Sequence, residues 1–310
     1  MRVATIDIGT NTTLMLVAEL RDGELVAVED HAEITRLGRG VDRTKRIDAA
    51  AMEKTLATLR RYAERARALS VDVVAAVATS ASRDASNGEE FRTQAAAILG
   101  GEVQIVSGAR EAMLTFQGAL GGLGVDDGAR VAVIDVGGGS TEVVVGTLRD
   151  HRASIAWSHS YDIGSVRMTE RHVRTDPPRD EELATIASDV QSALSAHPPP
   201  SGPFDRVVAI AGTATTYAAI ELELADYATA PPHGHRLALD RLNARVGTLA
   251  ALPLEARRRT VGLLPDRADV IVAGGIVLAR TAEALGADAL TVSDRGVRWG
   301  LAHELAIRGS

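Results

Sequence analysis

Cysteine is absent from the 310 residues. Disulfide staples, thiol nucleophiles and thiolate metal sites are therefore excluded, and a reducing compartment is compatible with the chain. Aromatic residues are scarce, with two Trp, four Tyr and three Phe, too few for rows of base-stacking platforms. Lysine is nearly missing. Of 34 basic residues only Lys45 and Lys54 are lysine and all others are arginine, against 41 acidic residues and a net charge of -7. The arginine and alanine bias reads as genome composition, and the acidic balance argues against a generic nucleic-acid binder. No apolar run approaches the roughly 20 residues of a membrane span. The stretch from Met1 to Leu20 is apolar, but Asp7 interrupts it early and no small-residue cleavage site follows. It reads as buried strand rather than signal segment, and a cytoplasmic location is expected.

What is present is an ordinary globular composition. Apolar residues reach 45%, enough to bury a core and to exclude a mainly disordered chain. One hydrophobic core stops growing near about 250–300 residues, so two domains are expected.

The order of elements suggests a duplication. Residues 2–8 and 14–20 are strand-like runs around the turn-rich Gly9-Thr10-Asn11-Thr12-Thr13. Residues 26–34 add a third strand. Asp48 is placed to cap a helix to about Leu69, with Met52, Leu56, Leu59, Ala63 and Ala66 on one face. Residues 71–77 read as a buried strand. Asn87 and Glu90 form a capping box for a helix that Gly100 ends. Residues 103–106 are a strand, and Ser107 caps the next helix. After the glycine-rich stretch Gly121–Gly128 the order begins again. Residues 131–136 and 142–146 are strands around Gly137-Gly138-Gly139-Ser140-Thr141. A helix with Leu183, Ile186, Val190 and Leu194 on one face follows, then a strand at 207–211 with Gly212-Thr213 opening a helix. Val270–Ala273 reads as a strand with Gly274-Gly275 opening the next helix, and a last helix spans about 296–307. Two successive α/β units, each starting with a hairpin whose loop follows an Asp, make an internal duplication of pattern.

The sharpest feature is the pair Asp7-Ile-Gly-Thr-Asn-Thr-Thr and Asp135-Val-Gly-Gly-Gly-Ser-Thr-Glu142. Glycines let backbone N–H groups turn inward and approach an anion. Thr10, Thr12, Ser140 and Thr141 can add hydroxyl donors, and an Asp at each strand end can hold a metal through oxygen. Either loop alone is as readily an ordinary tight hairpin; the matched pair is not.

This pair resembles the duplicated, ribonuclease H-like α/β fold of the actin, sugar kinase and Hsp70 superfamily, which has two lobes and an interdomain cleft. A narrower resemblance is to the exopolyphosphatase and guanosine pentaphosphate phosphatase family (Ppx/GppA). It is carried further by Ala78-Thr-Ser-Ala-Ser-Arg83-Asp-Ala-Ser-Asn87, Ile105-Val-Ser-Gly-Ala-Arg-Glu111-Ala, Ala211-Gly-Thr-Ala-Thr-Thr216, Pro232-His-Gly-His-Arg-Leu237 and Arg267-Ala-Asp-Val-Ile-Val-Ala-Gly274. The resemblance implies lobes over 1–125 and 126–310, with a helix at about 296–310 able to pack on either.

The function implied is hydrolysis of the terminal phosphoanhydride of inorganic polyphosphate. The catalytic residues implied are Glu111 as the base that activates water, Arg83 as a phosphate-binding cation, and Glu142. Thr10, Asn11, Thr12, Gly137, Gly138, Gly139, Ser140 and Thr141 would bind phosphate oxygens. Asp135, Asp7 and Glu142 would organise a Mg2+ ion, with a monovalent cation left open. Longer family members carry extra helical domains, and a sequence ending at Ser310 implies a preference for short chains. Arg110 stands where the family motif usually has an acid. Partners expected are polyphosphate, guanosine penta- and tetraphosphate as alternative substrate or inhibitor, and a second copy as homodimer; nucleic acid and membrane are not expected. Rival readings are a guanosine pentaphosphate phosphohydrolase, an ATP-dependent kinase, and a non-catalytic alarmone or phosphate sensor. Retention of Glu111, Arg83, Asp135 and Glu142 speaks against the sensor. His233-Gly-His235 lacks a third ligand at helical spacing, so a zinc site is not expected. Arg257-Arg258-Arg259 reads as a solvated face.

Overall fold

Two apolar runs separated by a short loop, residues 9–11 in one half and 137–140 in the other, pair as antiparallel strands and begin each half of the molecule. The computed structural model describes residues 1–21, 24–149, 152–225 and 232–308. They fall into two compact units, Met1–Gly118 together with the helix beginning at Val297, and Ala119–Gly296.

In the first unit β1 (Arg2–Ile8), β2 (Thr12–Arg21) and β3 (Glu24–Ile34) form an antiparallel meander. Helices α1 (Val41–Thr44) and α2 (Ala49–Ala68) precede β4 (Val73–Ala78), which runs parallel to β1. Helices α3 (Ser80–Asp84) and α4 (Gly88–Leu99) lead to β5 (Glu102–Ile105), parallel to β4, and α5 (Gly108–Ala119) follows. The sheet order is β3-β2-β1-β4-β5. Ala4, Ile6 and Ile8 of β1 bury against Met52, Leu56 and Leu59 of α2. Val3 faces the other way, into a cluster with Trp299 and Ala302. A strand covered on both faces reads as a continuous apolar run, as this one does.

The second unit repeats the plan. β6 (Arg130–Val136), β7 (Thr141–Arg149) and β8 (Arg152–Tyr161) form the meander. Helices α6 (Ser165–His172) and α7 (Asp180–Ala196) precede β9 (Arg206–Ile210), parallel to β6. Then come α8 (Ala211–Glu221), β10 (Arg236–Ala238), α9 (Leu239–Ala250), α10 (Leu254–Arg257), α11 (Ile271–Ala284) and β11 (Ala289–Val292), parallel to β9. The order β8-β7-β6-β9-β11 matches that of the first sheet, with β10 added at the edge. The duplicated α/β reading therefore holds at the level of topology.

The last helix, α12 (Val297–Arg308), packs in the first unit; residues 309–310 of the expected helix lie outside the described residues. Thr5 Oγ1 donates to the Arg298 carbonyl at 2.8 Å, and Arg298 Nη2 donates to Asp30 Oδ2 at 2.7 Å. Gly300 lets α12 press on α5, because a Cβ there would collide with the Leu114 carbonyl.

Local expectations were met in part. Asp48 Oδ1 accepts from Ala50 N at 3.0 Å and Ala51 N at 3.2 Å, capping α2. Asn87 makes no cap for α4. Its side chain instead brackets residue 47, accepting from Ile47 N at 2.8 Å and donating to Ile47 O at 3.1 Å. Val270–Ala273 is not a strand. Ile271–Ala284 is one helix, apolar all round because it is buried on nearly every side, which removes the periodicity that marks a surface helix.

Gly275 sits inside that helix for packing. An added Cβ would lie 2.5 Å from Val246 Cγ2 and 2.6 Å from Tyr217 Cζ. Gly→Ala in an exposed helix gains up to about 1 kcal/mol. Here overpacking, at about 1–3 kcal/mol, is the larger effect. Gly275→Ala is expected to lower the melting temperature, and a rise would show that α11 has room to shift. Among the described residues no helix is long and apolar enough to cross a membrane.

Candidate active site

The two hairpin loops are built alike. Gly9 N donates to Thr12 O at 3.0 Å, and Gly137 N donates to Ser140 O at 3.0 Å. Asp7 and Asp135 each stand one residue before the end of their strand. Thr10 and Ser140 are buried, while Asn11 and Thr12 are partly exposed. Thr141 is fully buried and its hydroxyl donates to the Ile163 carbonyl at 2.6 Å, so it braces the second loop from the core side.

In the first unit Thr79 N donates to Ile8 O at 3.2 Å, bringing the end of β4 beside the first loop. The chain turns there into α3, which carries Arg83. Arg83 Nη1 donates to Glu111 Oε2 at 3.1 Å and to the Val106 carbonyl at 3.0 Å. The two residues were expected separately; the structure joins them. Glu111 lies in the first turn of α5, and its side chain is 7% exposed against 27% for Arg83. The carboxylate is thus inside while its cation reaches solvent. A guanidinium carries five N–H donors, more than these two bonds use, so Arg83 can hold Glu111 and meet an anion together.

Ser107 starts α5, accepting from Arg110 N at its Oγ at 3.2 Å and from Glu111 N at its carbonyl at 2.9 Å. Arg110 turns away to α12. Its Nη1 donates to Glu304 Oε1 at 2.6 Å and its Nη2 to Glu304 Oε2. The hydrogen bond with Glu304 pushes the guanidinium pKa up. An acid at position 110 would face Glu304 with like charge. Arg110 therefore belongs to a fork between α5 and α12.

In the second unit Asp135 and Glu142 are directly opposite across β6 and β7. Opposed residues share a sheet face, and like charges there are destabilising. Both are buried, at 8% and 1% exposure. Ser160, opposite Glu142 on β8, donates to Glu142 Oε1 at 2.6 Å. An all-oxygen pair of buried acids is suited to a hard cation that keeps its remaining ligands as water or phosphate. No group of three or more His, Asp or Glu among the described residues is arranged to hold a metal by itself.

Two residues of this site escaped the sequence reading. Ser160 carries no motif. Arg167 is buried, and its Nε donates to the Gly139 carbonyl at 2.5 Å. Other motifs resolve as structural. Arg257 is 3% exposed and donates to the carbonyls of Leu249, Ala268 and Leu252, so it is not part of a solvated face. Burial pushes its pKa down. His233 Nδ1 lies 2.9 Å from Asp294 Oδ1, whereas His235 Nε2 lies 3.8 Å from Glu221 Oε2; the histidines go to different acids.

Two units of one topology, each opening with a loop after a strand-end acid, define a duplicated α/β protein. A family model described as the Ppx/GppA phosphatase family matches residues 16–308. The chain belongs to that family. It is 38% identical to Exopolyphosphatase 2 of Mycobacterium tuberculosis over 98% of this chain and 98% of that one. A solved exopolyphosphatase-like protein matches it with a TM-score of 0.92 at 30% identity, covering 100% of both chains. The Guanosine-5'-triphosphate,3'-diphosphate pyrophosphatase of Aeromonas hydrophila is 27% identical over 97% of this chain, which spans 59% of that protein.

Proposed function

We propose that the protein is an exopolyphosphatase that hydrolyses the terminal phosphoanhydride bond of inorganic polyphosphate and releases orthophosphate. The observation that carries this is the buried Glu111 held by Arg83 at 3.1 Å. Phosphoryl transfer asks the protein for positioning and charge neutralisation. Water attacks the terminal phosphorus, and Glu111 accepts its proton. The bond to the bridging oxygen breaks, and that oxygen keeps the electron pair on the shortened chain. Arg83 offsets the charge on the phosphoryl oxygens. In the second unit the N–H groups of the Gly137–Ser140 loop are donors suited to phosphate oxygens. Asp135 and Glu142 are the residues that would hold a magnesium ion, which supplies charge neutralisation to the phosphates when bound. A guanosine pentaphosphate phosphohydrolase is the second reading, favoured by the likeness to the Aeromonas protein and using the same bond chemistry.

The test is phosphate release from polyphosphates of several lengths, ATP and guanosine pentaphosphate, with and without magnesium. The expected result is magnesium-dependent orthophosphate release with the highest kcat/KM on polyphosphate. A higher value on guanosine pentaphosphate selects the second reading. Transfer from ATP to an acceptor without free phosphate would make the protein a kinase.

A further inference from the structure

The second hairpin loop is held from behind. The carbonyl of Gly137 accepts from Ser165 N at 2.9 Å, and that of Gly138 from Val166 N at 2.9 Å and Arg167 N at 3.0 Å. The carbonyl of Gly139 accepts from Arg167 Nε at 2.5 Å. In a planar trans peptide the C=O and N–H point in opposite directions. Fixing these three carbonyls toward α6 therefore aims the N–H groups of Gly138, Gly139 and Ser140 to the other side of the loop. The approach needs Gly164, where a Cβ would lie 2.6 Å from the Gly138 carbonyl.

The first unit repeats the device. Thr10 O accepts from Gly38 N at 2.9 Å, and Asn11 O accepts from Thr35 N at 3.0 Å and Arg36 N at 2.9 Å. In both units the pinning segment follows the third strand of the meander. The first unit is pinned through these backbone bonds. The second adds the side chain of Arg167, which is 6% exposed. Burying a guanidinium is costly unless its donors are used, and one donor here is used on the loop.

We propose that Arg167 is a positioning residue, fixing the Gly139–Ser140 peptide so that the loop presents a set row of N–H donors to the terminal phosphate. The proposal rests on the reading of this loop as a phosphate cradle. Three consecutive glycines have wide backbone freedom. Without the Arg167 bond the peptide can turn its carbonyl toward the anion, replacing attraction with repulsion. Donors fixed before the reaction stabilise developing charge without reorganisation at the moment of transfer.

The test uses the full chain, tripolyphosphate as substrate, and Arg167→Met and Arg167→Lys, each with a thermal melt. Met keeps the stem and removes the donors; Lys keeps charge as a single ammonium. Arg167→Met is expected to fold and to lose about 10- to 100-fold in kcat, while KM moves less than about threefold. Arg167→Lys is expected to recover part of that kcat. Wild-type kcat in folded Arg167→Met overturns the proposal. So does a loss of activity that only tracks the unfolded fraction and is not recovered by Lys. If Arg167→Met does not fold, wild-type kcat in Arg167→Lys overturns it. A wild-type protein that releases no phosphate from tripolyphosphate removes the functional reading itself and this proposal with it, a result distinct from a silent variant of an active enzyme.

Discussion

Glu111→Gln is expected to keep the fold and to lose about 10²–10⁴-fold in kcat, the usual cost of removing a general base. The exchange is near-isosteric. The amide oxygen can still accept the bond that Arg83 Nη1 makes to Glu111 Oε2 at 3.1 Å. What is lost is the ability to take a proton from water. The variant is cleaner than Arg83→Ala, which would take one ion-pair partner from a buried carboxylate and confound catalysis with stability. Initial rates at saturating polyphosphate, with a melt to verify folding, decide the matter. A kcat near wild type would remove Glu111 from the chemistry.

Glu142→Gln is expected to move activity and stability in opposite directions. Asp135 and Glu142 face each other across β6 and β7, both buried. Neutralising one relieves a like-charge cross-strand pair, a gain of roughly 0.2–1 kcal/mol. Ser160 keeps an acceptor, since Gln retains Oε1. The melting temperature should hold or rise by about 1–3 °C on the scaling of such energies with size. Turnover should fall by about 10²–10³-fold, the scale for losing one electrostatic element of a site, and half-maximal activity should need more magnesium. Strain kept at a functional site and absent from the variant is the pattern this tests. A variant that is less stable yet fully active would make Glu142 a structural residue.

The parts of this site that could be read from the sequence are those whose chemistry is local. Asp7 and Asp135 stand at strand ends beside turn residues, and the two loops repeat at matched places, so one-dimensional pattern sufficed. The Arg83–Glu111 pair spans 28 positions and depends on how α3 leaves β4, which no spacing rule encodes. Arg167 is one basic residue among 34 and was hidden by composition. Ser160 lies in β8, whose run RASIAWSHSY does carry a strand signal in the alternation of Ala153, Ile155, Trp157 and Tyr161, but the serine itself is one of several polar residues on the other face and nothing local marks it. Val270–Ala273 misled for the opposite reason: a helix buried on nearly all sides has no polar face to reveal its period. β11, four residues long, was too short to register against it.

The first unit is written in two pieces, and this has a consequence for how the chain is made. Val3, Leu16 and Ala18 are covered by Trp299 and Ala302, and Ala75, Val77 and Leu114 by Val297 and Leu301. A ribosome delivers those covering residues only after every residue of the second unit has been translated. The nascent first unit therefore carries an uncovered apolar strip for most of synthesis, the kind of surface that exposes a chain to aggregation or chaperone capture. The second unit is contiguous, from Ala119 to Gly296, and among the described residues its large core cluster is drawn from within that span. The N-terminal half is begun first and finished last.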